Sequence, residues 1–127
     1  MEKNKENIAK FDYDFENDSL FIFPNSRKPE EYGISECIDE NFILDFNKEK
    51  KLIGLEILSA SERLGIPKSY LKNISKWNIT INIDEKNIKI DIKLEFKLRN
   101  KLNEKELSIE KINEDMLTPS FTNLAMA

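Results

Sequence analysis

From Trp77 to Arg99 the chain alternates almost without fault. Trp77, Ile79, Ile81 and Ile83 stand at every second place, residues 84–87 (DEKN) interrupt, and Ile88, Ile90, Ile92, Leu94, Phe96 and Leu98 resume the pattern. Lys89, Asp91, Lys93, Glu95, Lys97 and Arg99 fill the places between them. A period of two belongs to a pleated strand, because successive side chains point to opposite faces, whereas a helix brings every third or fourth residue to one side. The run therefore predicts an antiparallel hairpin with one face on a core and the other in water.

Two further hairpins are legible. Residues 11–15 (FDYDF) and 20–23 (LFIF) flank the turn formers Glu16, Asn17, Asp18 and Ser19. Symmetric closure of that turn sets Phe15 opposite Leu20 and Tyr13 opposite Ile22, with Asp12 and Asp14 on the other face. Pro24 to Gly33 reads as a loop, and a short strand is expected around Ile34 to Ile38. Residues 42–46 (FILDF) and 52–58 (LIGLEIL) then form the second hairpin around residues 47–50. With a two- or four-residue loop, Phe42, Leu44 and Phe46 share a face with Ile53, Leu55 and Ile57. Ile43, Asp45, Leu52, Gly54 and Glu56 share the opposite one. Glu56, although set in the most apolar window of the chain, thus belongs to its more polar side.

Ser59, Ala60, Ser61 and Glu62 have the spacing of a capping box, in which a serine oxygen accepts from the backbone three residues on and the glutamate reaches back. Gly65 suits the end of a first turn and Pro67 the start of a second. Ile66, Tyr70, Leu71 and Ile74 make an apolar stripe beyond it. The expectation is a short broken helix over about residues 60–75, lying across the apolar face of the sheet. After Asn100, Ile109, Ile112 and Met116 align as on an amphipathic helix, with a strand as the other possibility, and residues 118–127 lack periodicity and read as a mobile tail. The fold class expected is α+β: antiparallel hairpins forming one sheet or two packed sheets with the broken helix upon them. A single domain over 1–100 is followed by the C-terminal segment 101–127. At 127 residues, such a chain can build one core without a disulfide or a metal.

The chemistry is narrowed chiefly by what is missing. The chain has no histidine, which removes Ser-His-Asp and Cys-His mechanisms and histidine-ligated metals within one chain. Cys37 is alone, so no intramolecular disulfide forms. A net charge of −4, from 20 cationic and 24 anionic residues, provides no basic field for nucleic acid or an anionic membrane. The charged opening MEKNKENIAK lacks a signal-like apolar core, and no apolar run spans a bilayer, so a cytoplasmic location is expected. Asp12, Asp14, Glu16 and Asp18 are spaced like calcium-loop oxygens, but Asn17 stands where that loop needs glycine and Phe23 where it needs glutamate. Lys89, Lys93 and Lys97 alternate with Asp91 and Glu95 and suit salt bridging or edge protection better than phosphate contact. Ser59 and Ser61 lack the flanking glycines of a nucleophile elbow. No metal or cofactor is expected.

What remains is the strand pair around Glu56. Tyr13, Asp45 and Glu56 are the candidate binding residues. Gly54, Ser59, Ser61 and Glu62 form the structural motif that turns the strand into the helix. Glu56 is expected to be ionised and held by a cation or by backbone N–H groups at the helix start, where the dipole favours an anion.

The span from about Phe11 to Ser61 resembles domain of unknown function 2283. Members of that family carry Y-D-x-x-x-D-x-L-Y-I, then V-D-x-D and I-V-G-[IL]-E-I-L-x-A-S. Tyr13, Asp14, Asp18, Leu20 and Ile22 stand at matching places, as do Asp45, Ile53, Gly54, Leu55, Glu56, Ile57, Leu58, Ala60 and Ser61. Phe21 replaces a tyrosine, and Phe46 and Asn47 replace the second half of the acidic turn. The resemblance implies a compact β-rich module without an established activity, found in many genomes beside small toxin-like genes. The functional expectation is a non-enzymatic protein-interaction module, an antitoxin-like partner of a small toxin being its narrower form. The alternatives are a small-molecule binder or enzyme using the Glu56 carboxylate, and a homodimer joined through sheet edges.

Overall fold

The computed structural model describes residues 8–28 and 31–126. Seven residues of the charged N-terminal stretch and residues 29 and 30 of the Pro24–Gly33 loop lie outside the described residues, as does Ala127. The chain runs β1 (Ala9–Asp14), β2 (Ser19–Pro24), β3 (Tyr32–Cys37), β4 (Phe42–Asn47), β5 (Leu52–Ile57), α1 (Ala60–Leu64), α2 (Lys68–Leu71), β6 (Ile74–Ile83), β7 (Asn87–Leu98), β8 (Lys101–Ile112) and β9 (Ser120–Ala125). The strands form a five-stranded sheet ordered β1-β2-β5-β4-β3 and a four-stranded sheet ordered β8-β7-β6-β9, antiparallel throughout. One cluster of buried side chains draws on both sheets and both helices, so the molecule is mostly β, two packed layers with two single-turn helices. No helix among the described residues is long and apolar enough to cross a membrane.

The strict alternation of residues 77–98 appears in the β6–β7 pairing, where Ile79 faces Ile92, Ile81 faces Ile90 and Ile83 faces Ile88. These residues are buried while Lys89, Asp91 and Lys93 remain outside. Asp84 shapes the turn by accepting from the backbone N–H groups of Lys86 and Asn87 at 2.8 and 2.6 Å.

Several expectations need correction. The β1–β2 register is offset from the symmetric one: Tyr13 faces Leu20 and Phe11 faces Ile22. Phe15 sits in the turn under the ammonium groups of Lys68 and Lys72. The offset is an even number of residues, so the division into faces survives. In the β4–β5 hairpin a bulge after Asp45 sets Phe46 against Leu52, which moves Leu52 to the core side and displaces Ile53. Ile74, expected on the helix, opens β6.

Residues 101–112 are a strand and not an amphipathic helix. Arg99 and Asn100 both adopt positive φ, 51° and 65°, the two-residue turn whose twist matches a hairpin, and β8 then pairs with β7 from Lys101 opposite Leu98 to Ile112 opposite Asn87. The long open edge of β7 outweighs the helical spacing of three apolar residues. The supposed mobile tail is likewise structured: β9 pairs with β6, with Leu124 opposite Ile79 and 1% exposed. Asn113 steers the connection, its side-chain N–H groups donating to Asp84 O and Leu117 O while its Oδ1 accepts from the Leu117 N–H.

The capping box does not form. Ser59 takes a left-handed conformation (φ 50°) and its side chain caps nothing. Asp18, from the β1–β2 turn, takes over. Its carbonyl accepts from the Ala60 N–H at 2.8 Å, its Oδ1 from the Ser61 N–H at 3.0 Å, and its Oδ2 from the Ser61 hydroxyl at 2.7 Å. An aspartate brought in from elsewhere in the chain does what a local serine was expected to do. Gly65 then ends α1 at φ 68°.

Candidate binding site

Glu56 and Asp45 lie on the outer face of the five-stranded sheet, as neighbours on adjacent strands: Glu56 is opposite Ile43, and Asp45 is opposite Gly54. Strand alternation alone would leave that face in water. Instead, the segment after β2 folds back over it, and Arg27 lays its guanidinium across the sheet. The guanidinium carbon is 4.8 Å from the centre of the Phe21 ring, and Nη1 lies 3.6 Å from Asp45 Oδ2. Asp45, expected on a solvated face, is 1% exposed.

Gly54 makes this possible. A Cβ there would stand 2.7 Å from Arg27 Nη1 and 3.3 Å from both Asp45 Oδ2 and Phe21 Cε1. The gap that the glycine leaves on this face is the slot the guanidinium occupies. Because Arg27 and Gly54 are 27 residues apart, nothing in the local pattern pairs them.

The carboxyls are arranged unequally. Asp45 Oδ1 accepts the Ser35 hydroxyl at 2.5 Å. Ser35 Oγ in turn lies 2.7 Å from the Tyr32 hydroxyl, and since the single serine proton goes to Asp45, Tyr32 is the donor. Asp45 Oδ2 is buried and receives no N–H or hydroxyl donor. Arg27 Nη1 approaches it at 3.6 Å, and the Glu56 carboxyl, which pairs with Asp45, can donate to that residue only when protonated. Burial, then the hydrogen bond and charge of Asp45, push the Glu56 carboxyl up to about 7, with Arg27 pulling the other way. Glu56 is therefore not fixed at the helix start, which Asp18 holds; the expected cation is present as Arg27, whose charge favours the ionised form while burial and Asp45 favour the protonated one.

Tyr13 is not part of this cluster. It lies on the core face, and its hydroxyl donates to Asp18 Oδ1 at 2.6 Å. Burial and the neighbouring Asp18 raise the phenol above its ordinary range. Burial also acts to raise Asp18, but the hydrogen bonds from Tyr13 and Ser61 outweigh it and hold that carboxyl below the usual range. Of the residues in the structural motif, Gly54 belongs with Asp45 and Glu56, Ser61 belongs with Asp18, and Ser59 and Glu62 make no side-chain contact at the cap. Arg27 reaches the cluster from the segment after β2, and Ser35 and Tyr32 reach it from β3, so no local pattern in the sequence pairs them with Asp45 and Glu56.

A carboxyl that titrates near neutrality is what proton-transfer chemistry uses. Here it is directed at Asp45. The cleft above it, about 330 Å³ and lined by Asp12, Phe21, Phe23 and Arg27, does not include it. Among the described residues no group of three His, Cys, Asp or Glu is placed to hold a metal ion. The hydrogen-bond chain runs toward β3: Asp45 holds Ser35, and Ser35 holds Tyr32. It thus connects the buried charges to an edge strand of the sheet.

A model of proteins of unknown function (DUF2283) matches residues 10–61, the span that carries both the Asp18 cap and the Asp45–Glu56 pair. The chain is 37% identical over 106 residues to a protein of Methanosarcina mazei named "Putative hypoxanthine phosphoribosyltransferase", a match covering 84% of this chain and 83% of that protein. It is 31% identical over 107 residues to an uncharacterised protein of Methanocaldococcus jannaschii, covering 83% and 88%. No solved structure gives a significant match.

Proposed function

The chain belongs to the DUF2283 family of proteins of unknown function, and we propose that it is a non-enzymatic protein-interaction module whose working surface is the edge strand β3. The observation that carries this is the contrast between edges. β8 is guarded by Lys101, Glu104, Lys105, Glu106, Glu110 and Lys111, the alternating charges that discourage strand addition. β1 and β9 meet through a bridge between Ile8 and Ala125. β3 has an open edge, its Tyr32 and Ile34 are exposed, and Glu36 is its only charge. A partner that contributes an extended segment finds unpaired backbone groups and apolar side chains there.

On this reading the buried charges need no catalytic role. Replacing a buried ion cluster by apolar residues often stabilises a protein, so such a cluster is explained better by the position it specifies than by strength. Here it holds β3 from the inside through Ser35 and Tyr32. An antitoxin-like role toward a small toxin is the narrower form of the same reading, carried by the family resemblance. The name of the Methanosarcina relative suggests phosphoribosyl transfer, which requires a cradle for phosphate. This site lends it no support, because the first N–H groups of α1 are taken by Asp18 and α2 opens at Pro67.

A second reading, a small-molecule binder using Glu56, is favoured by the Phe21–Phe23–Arg27 cleft next to a carboxyl that titrates near neutrality. Tagged wild-type protein and Ile34→Lys, purified in parallel from cells of the source organism, separate the two. The interaction reading expects Ile34→Lys to melt like wild type and to lose the proteins that co-purify with it. Unchanged co-purification would overturn the β3 edge, and loss on Glu56→Gln of a bound small molecule would favour the second reading.

A further inference from the structure

Two seams run between the sheets where their edge strands approach. One is joined at β1 and β9 by the Ile8–Ala125 bridge. At the other, among the described residues, no backbone hydrogen bond links β3 to β8. The ends of those two strands enclose a cleft of about 430 Å³. Its apolar lining is Ile38, the buried Ile88 and Ile112, with the Cys37 thiol beside them. Glu110, Glu114 and Asp115 provide its charge, opposed only by Lys111. None of those three carboxylates forms an ion pair with a described residue. Close by, Ile112 is 69% and Met116 88% exposed, unusual positions for side chains of this kind.

We infer that this seam is the docking groove for an extended, lysine- or arginine-bearing segment of a protein partner with aliphatic side chains at alternate positions. The inference rests on the interaction reading above and specifies the partner's chemistry. The open edge of β3 calls for an extended chain, because only a strand satisfies a row of unpaired N–H and C=O groups, and the charged end of β8 forms the facing wall of the groove. Alternation follows from the pleat, which turns every second side chain of the incoming strand toward Ile38 and Ile112 and the rest toward the rim. The unpaired carboxylates select cations for that rim, since opposite charge speeds encounter and like charge rejects the wrong partner. A second copy docked symmetrically, groove to groove, is disfavoured by the same reasoning, because it would bring Glu110, Glu114 and Asp115 against themselves.

The test uses the full chain labelled with ¹⁵N and two short capped peptides, one alternating valine and lysine and the other valine and glutamate. The inference expects the lysine peptide to shift the amides of Tyr32–Cys37 together with those of residues 108–115. Its affinity should fall as salt rises from about 0.02 to 0.5 M, and the glutamate peptide should bind at least about tenfold more weakly. The double variant Glu110→Lys, Glu114→Lys changes exposed positions only and should reverse the preference. Shifts confined to β3, equal for both peptides, would overturn the groove and leave the β3 edge standing. No shift on either strand with either peptide would overturn the groove as well, and the Ile34→Lys co-purification would then decide the β3 edge by itself.

Discussion

Glu56 has a proton affinity that its neighbours impose. Folded, its carboxyl is raised from an ordinary 4.5 to about 7 by burial and by Asp45, so the native protein holds a proton that the unfolded chain releases. The native state therefore binds more protons between those values, and stability declines as pH rises from about 4.5 to about 7, then levels off. The carboxyl is partly exposed to water, so the expected decline is on the order of 1 kcal/mol. Glu56→Gln offers Asp45 a permanent N–H donor and should abolish that slope, being close to wild type at pH 5 and equal or more stable at pH 8. Urea denaturation of both proteins at the two pH values measures it, and a wild-type slope that persists in the variant would assign it to another group. Asp18 works in the opposite sense. Its carboxyl is lowered on balance by Tyr13 and Ser61, so its contribution is present above the ordinary aspartate range and disappears as acid protonates it. Asp18→Ala leaves the Tyr13 hydroxyl and the Ser61 N–H without their acceptor and should cost about 2 kcal/mol. Ser59→Ala, at a residue whose side chain caps nothing, should change stability by less than about 0.5 kcal/mol. Equal losses in the two variants would restore the serine as the cap.

At the scale of elements, the C-terminal strands show where periodicity misleads. Residues 101–116 satisfy a helical spacing at Ile109, Ile112 and Met116, yet a strand forms because β7 offers a twelve-residue edge and the Arg99–Asn100 turn delivers the chain to it. β9 is too short to show a period at all, and its place comes from the open edge of β6. Deleting residues 118–127 should therefore remove a strand, uncover Ile79 and Ile81 on one side and forfeit the burial of Leu124. A fall in the thermal midpoint on the order of 10 °C or more is expected, and Leu124→Ala alone should cost about 3 kcal/mol. Calorimetry of the truncated chain checks this, and an unchanged midpoint would show that β9 lies outside the cooperative unit.

For the molecule as a whole, the contact between Trp77 on β6 and Phe11 on β1, with ring centres 5.1 Å apart, joins the two sheets. Because the chain has one tryptophan, its fluorescence reports sheet-on-sheet packing while far-UV circular dichroism reports the strands. A domain of this size with one shared core should unfold in a single step, and the two signals should share one urea midpoint. Fluorescence that changes at lower urea would mean that the sheets part before they melt. The sequence by itself determined what depends on neighbours along the chain: the strand period from Trp77 to Leu98, the turn at residues 84–87, the place where the helix breaks at Gly65, and the faces of the strands wherever no bulge intervenes, since alternation needs no distant partner. It also brought Asp45, Gly54 and Glu56 to one face of the first sheet. Only the tertiary structure decided that this face is covered, that Arg27 fills the slot left by Gly54, that Asp18 displaces Ser59 as the cap, and that two C-terminal segments are strands. Each of these depends on a group arriving from another strand or loop, and the free energy of such an arrival is set by packing and desolvation across the whole fold.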